Sequence, residues 1–439
     1  MKKKFISSVF ILLLLAAPFG CGKEPKKVTI NIKCPPVTMA YDKDHANAEI
    51  YDLFTEASEK FKSTYKDYDV EFNITKYKYT DEKEQIPDKF GTDEACDLTY
   101  PGSFNNPTYI LSGRLASLDD IIDEELKNDI DPKIWEQCSV DGKIYMLPFN
   151  QLQNTLLVNE DMMKKAGLNR YVPEKGQIAH WSTEEFNIIL KGLKSSFKGD
   201  NKYPLAMFAL DNQGDTHIMT LLRAYGSDIF DKNGYFNINT PEGIKALKWI
   251  SQLNKDKLIP YGSENLDFLS NYDLFFNNQL AICYGNNVNL NDAKDKYGLN
   301  VFLANFPNMQ GNGNATNYLN GFIVFDNNNE DKLKVSKDFV KFIYDNEEYW
   351  KYSLSATPVM NSYVKKHKDK VEYMDVYSKN SKNIVDARHN NPNWEGVRDV
   401  FHVCIQDLLR GDKSAKEVAK DIDEKCNAAI KKGIEDAKK

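Results

Sequence analysis

The tightest constraint on this 439-residue chain is an alternation of two hydrophobic periods. In KVTINIKC, Val28, Ile30 and Ile32 repeat every second residue, the signature of a half-buried strand. Ile50, Leu53, Phe54, Ala57 and Phe61 then recur at helical spacing. Val70, Phe72 and Ile74 return to the strand period, and CDLTY is a further short strand running into PGSFNNP. Strand, helix, strand in that order predicts a βαβ start and an α/β fold.

Local signals place other elements. Asp141-Gly142 marks a hairpin turn. VNEDMMKKAGL reads as a helix stopped at Gly167. In HWSTEEF, Ser182 and Glu185 form a capping box, with Trp181 and Phe186 as a hydrophobic staple, so Trp181 is structural. Pro241 opens another helix. The last third is helical, ending in SAKEVAKDIDEKCNAAIKKGIEDAKK.

The N-terminus carries an export pattern. Lys2, Lys3 and Lys4 precede an apolar run over residues 5–17, and small Gly20 sits at the cleavage position. That run is shorter than the roughly 20 residues of a spanning helix. Residues 1–20 are thus expected to be a signal peptide. PFGC is similar to the lipobox of bacterial lipoproteins through Gly20 and Cys21, while Pro18 and Phe19 depart from it. This likeness implies a lipidated Cys21, a tether over 21–27, and a location on the outer face of the cytoplasmic membrane. Acyl chains would hold it there at roughly 0.8 kcal/mol per buried CH₂.

The net charge of −7 argues against nucleic acid as a partner. Cys34, Cys96, Cys138, Cys283, Cys404 and Cys426 are scattered, without metal-ligand spacing, so no metal or cofactor is expected. Export permits disulfides, and Cys404 with Cys426 is the pair to examine, although buried free thiols suit a chain of this size. DKNGYFNINTPE has the length of a calcium loop, but Tyr235 and Phe236 occupy ligand and glycine places, leaving a turn and a helix start. Hydrolase motifs such as G-x-S-x-G and H-E-x-x-H are absent from the sequence.

The order of segments resembles the family 1 extracellular solute-binding proteins of ABC importers. The likeness runs through DGKIYMLPFNQLQNTLLVNEDMMKKAGL and HWSTEEF, then FFNNQLAICYGNN and NYLNGFIVFDNNNEDKLKVSKDFVKFI. It continues through ATPVMNSY and NPNWEGVRDVFHVCIQDLLRGDKSAKEV. It implies two discontinuous α/β lobes around a hinge and cleft, as in the periplasmic-binding-protein fold. The N-terminal lobe would span 28–150 and 319–363, and the C-terminal lobe 151–318 and 364–439. It further implies a monomer without catalytic residues that binds a polar solute, most often a sugar or oligosaccharide, and passes it to permease subunits. An exported glycan-active hydrolase and a solute-sensing surface receptor without transport are the alternatives.

A polar solute needs an aromatic ring for its C–H face and planar polar groups for its hydroxyls. Loops at strand ends supply them in open α/β sheets. The first lobe offers Thr38, Tyr41, Tyr100, Ser103 and Phe104, and the crossing Asn150 and Gln151. The second offers Asp211, Asn212, Gln213, Asp215 and His217, then Asn286 and Asn287, with Asn317 and Tyr318 on the return. Each has a plainer reading as packing, turn or helix-start residue, as do Arg388 and Arg398 as helix charges. The resemblance adds Trp394, at a position where maltodextrin-binding relatives place a stacking ring. It also marks a departure, because Asn286 and Asn287 stand where sugar-binding relatives often carry Trp.

Overall fold

The computed structural model describes residues 25–78, 85–87, 89–101, 106–197, 201–370 and 372–438. Cys21, Ser103 and Phe104 lie outside these. Strand β1 (Lys27–Cys34) pairs in parallel with β2 (Asp69–Lys76) and with β3 (Leu98–Thr99). The helix Ile50–Thr64 joins β1 to β2, which completes the expected βαβ unit. A hairpin of β4 (Ser139–Val140) and β5 (Lys143–Ile144) turns at Asp141 and Gly142, both with positive φ.

The next strand organises the molecule. β6 (Leu147–Asn159) is 13 residues long and belongs to two sheets in succession. Its C-terminal part meets the strands of a second α/β unit: β7 (Ile178–Ala179), β8 (Tyr203–Leu205), β9 (Leu280–Gly285) and β10 (Val301–Ala304). There β9 and β10 flank β6 antiparallel, with β8 beside β9 and β7 beside β10. β11 (Thr316–Val324) returns antiparallel along the N-terminal part of β6 and ends against β3. β12 (Thr357–Pro358) adds a short pairing at Asn150 and Gln151.

Two cores follow from this course. One gathers Ile30, Phe54, Phe149, Phe322, Phe339 and Trp350 around the first sheet. The other gathers Leu156, Phe186, Met219, Ile250, Phe401 and Ile422 on one face of the second sheet. The opposite face of that sheet packs Leu157, Phe275 and Cys283 against Tyr373 and Tyr377. Thus β6 contributes Leu147 and Phe149 to the first core and Leu156 and Val158 to the second, and β11 returns beside it. No helix among the described residues is long and apolar enough to cross a membrane.

At the crossing, β11 slips register between Asn320 and Gly321. A side chain at Gly321 would run into the Leu147 carbonyl and the Pro148 backbone. Gly321→Ala is therefore expected to destabilise the protein by about 1–3 kcal/mol, measured by urea unfolding. An unchanged midpoint would mean that the crossing strands can part without cost.

The local expectations meet the structure at several points. Ser182 Oγ accepts from Glu185 N at 3.1 Å, and Glu185 accepts from Ser182 N at 2.8 Å. Trp181 stacks on Phe186 at 6.0 Å. Gly167 adopts positive φ beyond the helix Glu160–Lys165. Asp231 closes a turn by accepting from the backbone of Asn233 and Tyr235, and Pro241 opens the helix Pro241–Lys255. Cys404 and Cys426 are not bridged: all six cysteines among the described residues are free buried thiols.

Candidate functional site

Between the two units lies a cleft of about 1350 Å³. Its first-lobe wall carries Val37 and Thr38 after β1, Asn150 and Leu152 on β6, Asn320 on β11, and Ser355. The pleat decides which crossing residues reach it, because neighbours on a strand point to opposite faces. Asn150, Leu152 and Asn154 face the cleft on β6, and Tyr318 and Asn320 on β11. Gln151, Gln153 and Asn317 face the other way. There Asn317 donates to Gln151 Oε1 at 3.0 Å, and Gln151 donates to Ser381 Oγ at 3.0 Å. Gln153 donates to the Tyr377 carbonyl at 2.6 Å. This uncharged amide network sits behind the hinge, and Gln151 and Asn317 are absorbed by it.

Asn150 is held in place. Its Oδ1 accepts from Tyr100 Oη at 3.1 Å and from Asn320 Nδ2 at 3.2 Å. Tyr100 itself is fully buried in the first core, so it supports Asn150 from behind. Tyr41 stacks on His45 at 4.4 Å and meets Tyr352 edge-on, away from the cleft lining.

The second-lobe wall is aromatic. The helix Phe268–Phe276 presents Phe268, Tyr272 and Phe276 at four-residue spacing. Tyr297 lies parallel on Phe276 at 4.2 Å, and Phe276 on Tyr272 at 5.8 Å. Tyr272 Oη donates to Asn289 Oδ1 at 3.1 Å. Tyr284 at the end of β9 and Phe306 continue the surface inward. Composition hid this wall among many aromatics. The signal that could have found it is the i, i+4, i+8 repeat in FLSNYDLFF, which puts three rings on one helix face.

Polar groups converge at helix starts along the same wall. Asn286 lines the cleft, but its Oδ1 caps the helix Asn287–Asp295, accepting from Val288 N at 3.0 Å. A short polar side chain suits this capping position, which accounts for Asn there. Asn287 is buried off the cleft. Gln213 lines it, whereas Asn212 is spent on Asp399, to which it donates at 2.8 Å.

Trp394 and Asp215 are placed differently from their sequence reading. Trp394 is 1% exposed, lies in the second core against Phe236 at 6.3 Å, and is not part of the cleft lining. Its Nε1 donates to Asp215 Oδ2 at 3.1 Å. Asp215 is equally buried and pairs with Arg398 Nε at 3.1 Å. Burial pushes the Asp215 carboxyl up, opposed chiefly by the Arg398 charge. The cleft therefore meets this cluster through Arg398, which lines it, while the carboxylate and indole stand behind. Among the described residues no group of His, Cys, Asp and Glu could hold a metal ion.

Two α/β lobes, a strand shared between them, and a cleft at the shared crossings define a periplasmic-binding-protein-like fold. The sequence profile for "Bacterial extracellular solute-binding protein" matches residues 46–350, and the chain belongs to that family. Its members bind solutes and do not transform them, so this is a binding protein rather than an enzyme. A candidate binding protein of Brucella abortus is 22% identical over 352 residues, 77% of this chain and 80% of its own. Among solved structures, the cyclic alpha-maltosyl-1,6-maltose binding protein of Arthrobacter globiformis superposes with a TM-score of 0.73 at 17% identity. The match covers 93% of this chain and 100% of that one. The sugar-binding protein MalE of Xanthomonas citri gives 0.73 at 16% identity, over 92% and 98% of the two chains.

Proposed function

We propose that this protein captures a neutral sugar or oligosaccharide in the interlobe cleft and delivers it to the permease of an ABC importer. The observation that carries this reading is a stacked aromatic wall facing planar amides across a gap. Phe268, Tyr272 and Phe276 offer ring surface from one lobe. Asn150 and Asn320 offer donors and acceptors from the other, with Asn154 on the crossing. Sugars carry both kinds of surface. The sugar-binding structural relatives point the same way. In this reading the protein is a monomer held by a lipidated Cys21 on the outer face of the cytoplasmic membrane.

Closure follows from contact with both walls. A ligand shifts an open–closed equilibrium only by its differential affinity for the two states. A 10⁴-fold preference, about 5.5 kcal/mol, takes the population from nearly all open to nearly all closed. The closed form then presents both lobes to the permease together.

A melting scan with maltose, maltotriose, cellobiose and D-tagatose tests the reading. A sugar at 100 times its Kd should add about 2.7 kcal/mol of stability. The bound sugar should be recovered unchanged. No shift with any sugar, or conversion of the sugar, would overturn the proposal.

A further inference from the structure

The aromatic wall of the cleft has a deep end and an open end. Phe268 marks the deep end, because it packs on buried Phe208 at 6.0 Å and on buried Tyr284 at 5.9 Å. The Asn154 amide belongs there too, since β6 pairs Leu156, two residues further on, with Tyr284. Phe276 is the last residue of the same helix, about 12 Å from Phe268 by helical rise. Tyr297 lies parallel on Phe276 at 4.2 Å and extends the wall from there. Its ring is 51% exposed, yet it is braced. Phe276 backs one face, and Tyr272 lies parallel to Phe276 at 5.8 Å. The Tyr272 hydroxyl donates to Asn289 Oδ1, on the helix Asn287–Asp295 that leads through Lys296 into Tyr297. Two interleaved helices thus hold the outermost ring in one plane and leave its other face open. Leu269 and Val288 stand exposed on the same wall. Exposed apolar surface gathered inside a groove marks a place that a guest covers.

We propose that Tyr297 is an outer stacking platform for a second or later unit of an oligosaccharide whose first unit sits against Phe268 and the crossing amides. This deepens the sugar-binding reading above and rests on it. A pyranose is about as wide as one aromatic ring, so a monosaccharide at the deep end cannot reach Tyr297. A second linked unit can, and its C–H face meets the open face of the ring. Because the ring is already braced, little side-chain freedom is lost when it is covered, and more of the contact appears as affinity. A ring face reads a flat apolar surface and not particular hydroxyls. Tyr297 therefore adds affinity for chain length, while the identity of the sugar is left to the planar amides deeper in the cleft. The site prefers two or more linked units over one.

The test uses the full-length protein and two length series, D-glucose, maltose and maltotriose with α links, and D-glucose, cellobiose and cellotriose with β links. Affinities are read by titration calorimetry, with displacement titration for the weak binders. In at least one series the parent should gain about tenfold or more in affinity from one unit to three. Tyr297→Ala should remove that gain and leave D-glucose binding within about twofold of the parent. Tyr297→Phe keeps the ring face and should keep the gain. A parent that binds D-glucose or D-tagatose as tightly as any longer sugar overturns the proposal. So does a Tyr297→Ala variant that keeps the length gain, or one that weakens D-glucose and maltotriose equally. Should Tyr297→Ala fail to fold, Tyr297→Leu keeps apolar bulk without a flat face and gives the same reading. Failure of the sugar reading itself is a separate result, in which none of these sugars binds the parent protein.

Discussion

Trp394→Ala is expected to lower the unfolding free energy by about 3–5 kcal/mol, read from urea unfolding followed by far-ultraviolet circular dichroism. The cost has two physical parts. An indole fully inside the second core is removed from between Phe236, Phe230 and the body of the helix Trp394–Arg410, leaving a cavity. Asp215 Oδ2 also loses the Nε1 donor. Trp394→Phe separates the parts, since it keeps most of the volume and removes only the donor. It should cost less than the alanine change. If Trp394→Ala were neutral in stability yet abolished sugar binding, the indole would have to be a ligand platform and its placement in the core would be wrong.

Arg398→Met should be of similar size, about 3–5 kcal/mol, because it strands a buried carboxylate. Arg398 Nε sits 3.1 Å from Asp215 Oδ2 and 3.2 Å from the Asn212 carbonyl. Without the guanidinium, the chief charge opposing burial is gone and the Asp215 carboxyl is pushed up further. The double change Arg398→Met with Asp215→Leu removes both charges, and much of the loss should return, as is common when a buried pair is replaced by apolar groups. A double-mutant cycle on unfolding free energies measures this coupling directly. Additive losses, with no recovery in the double variant, would show that the pair is not what stabilises this corner of the cleft. Arg398 also lines the cleft, so the single variant should weaken sugar binding in the fraction that stays folded.

Much of the fold could be read from local chemistry. The alternation at Val28, Ile30 and Ile32 gave β1, and the Ser182–Glu185 box gave a helix start to the residue. Such features depend on neighbours within a turn or a pleat, so a sequence window contains all that decides them. The site was less legible. Asn150 and Gln151 are adjacent and chemically alike, yet one meets the cleft and the other a buried amide network. Asn286 and Asn287 divide in the same way. Choosing between them needs the strand phase relative to the opposing lobe, which no local window holds. Trp394 shows the limit of reasoning by resemblance, since its ring lies in the second core and not on the cleft lining.

The sequence by itself determined the alternation of strands and helices, the caps and turns, the family, and the chemistry available to a cleft. Only the tertiary structure decided which polar groups face it. It set the phase of β6 and β11 and laid Tyr297 against Phe276 in the aromatic wall. The reason is one of range. Local structure follows from interactions within a few residues, whereas a cleft is made by chain segments a hundred or more residues apart, and their relative rotation fixes which atoms are exposed to a guest.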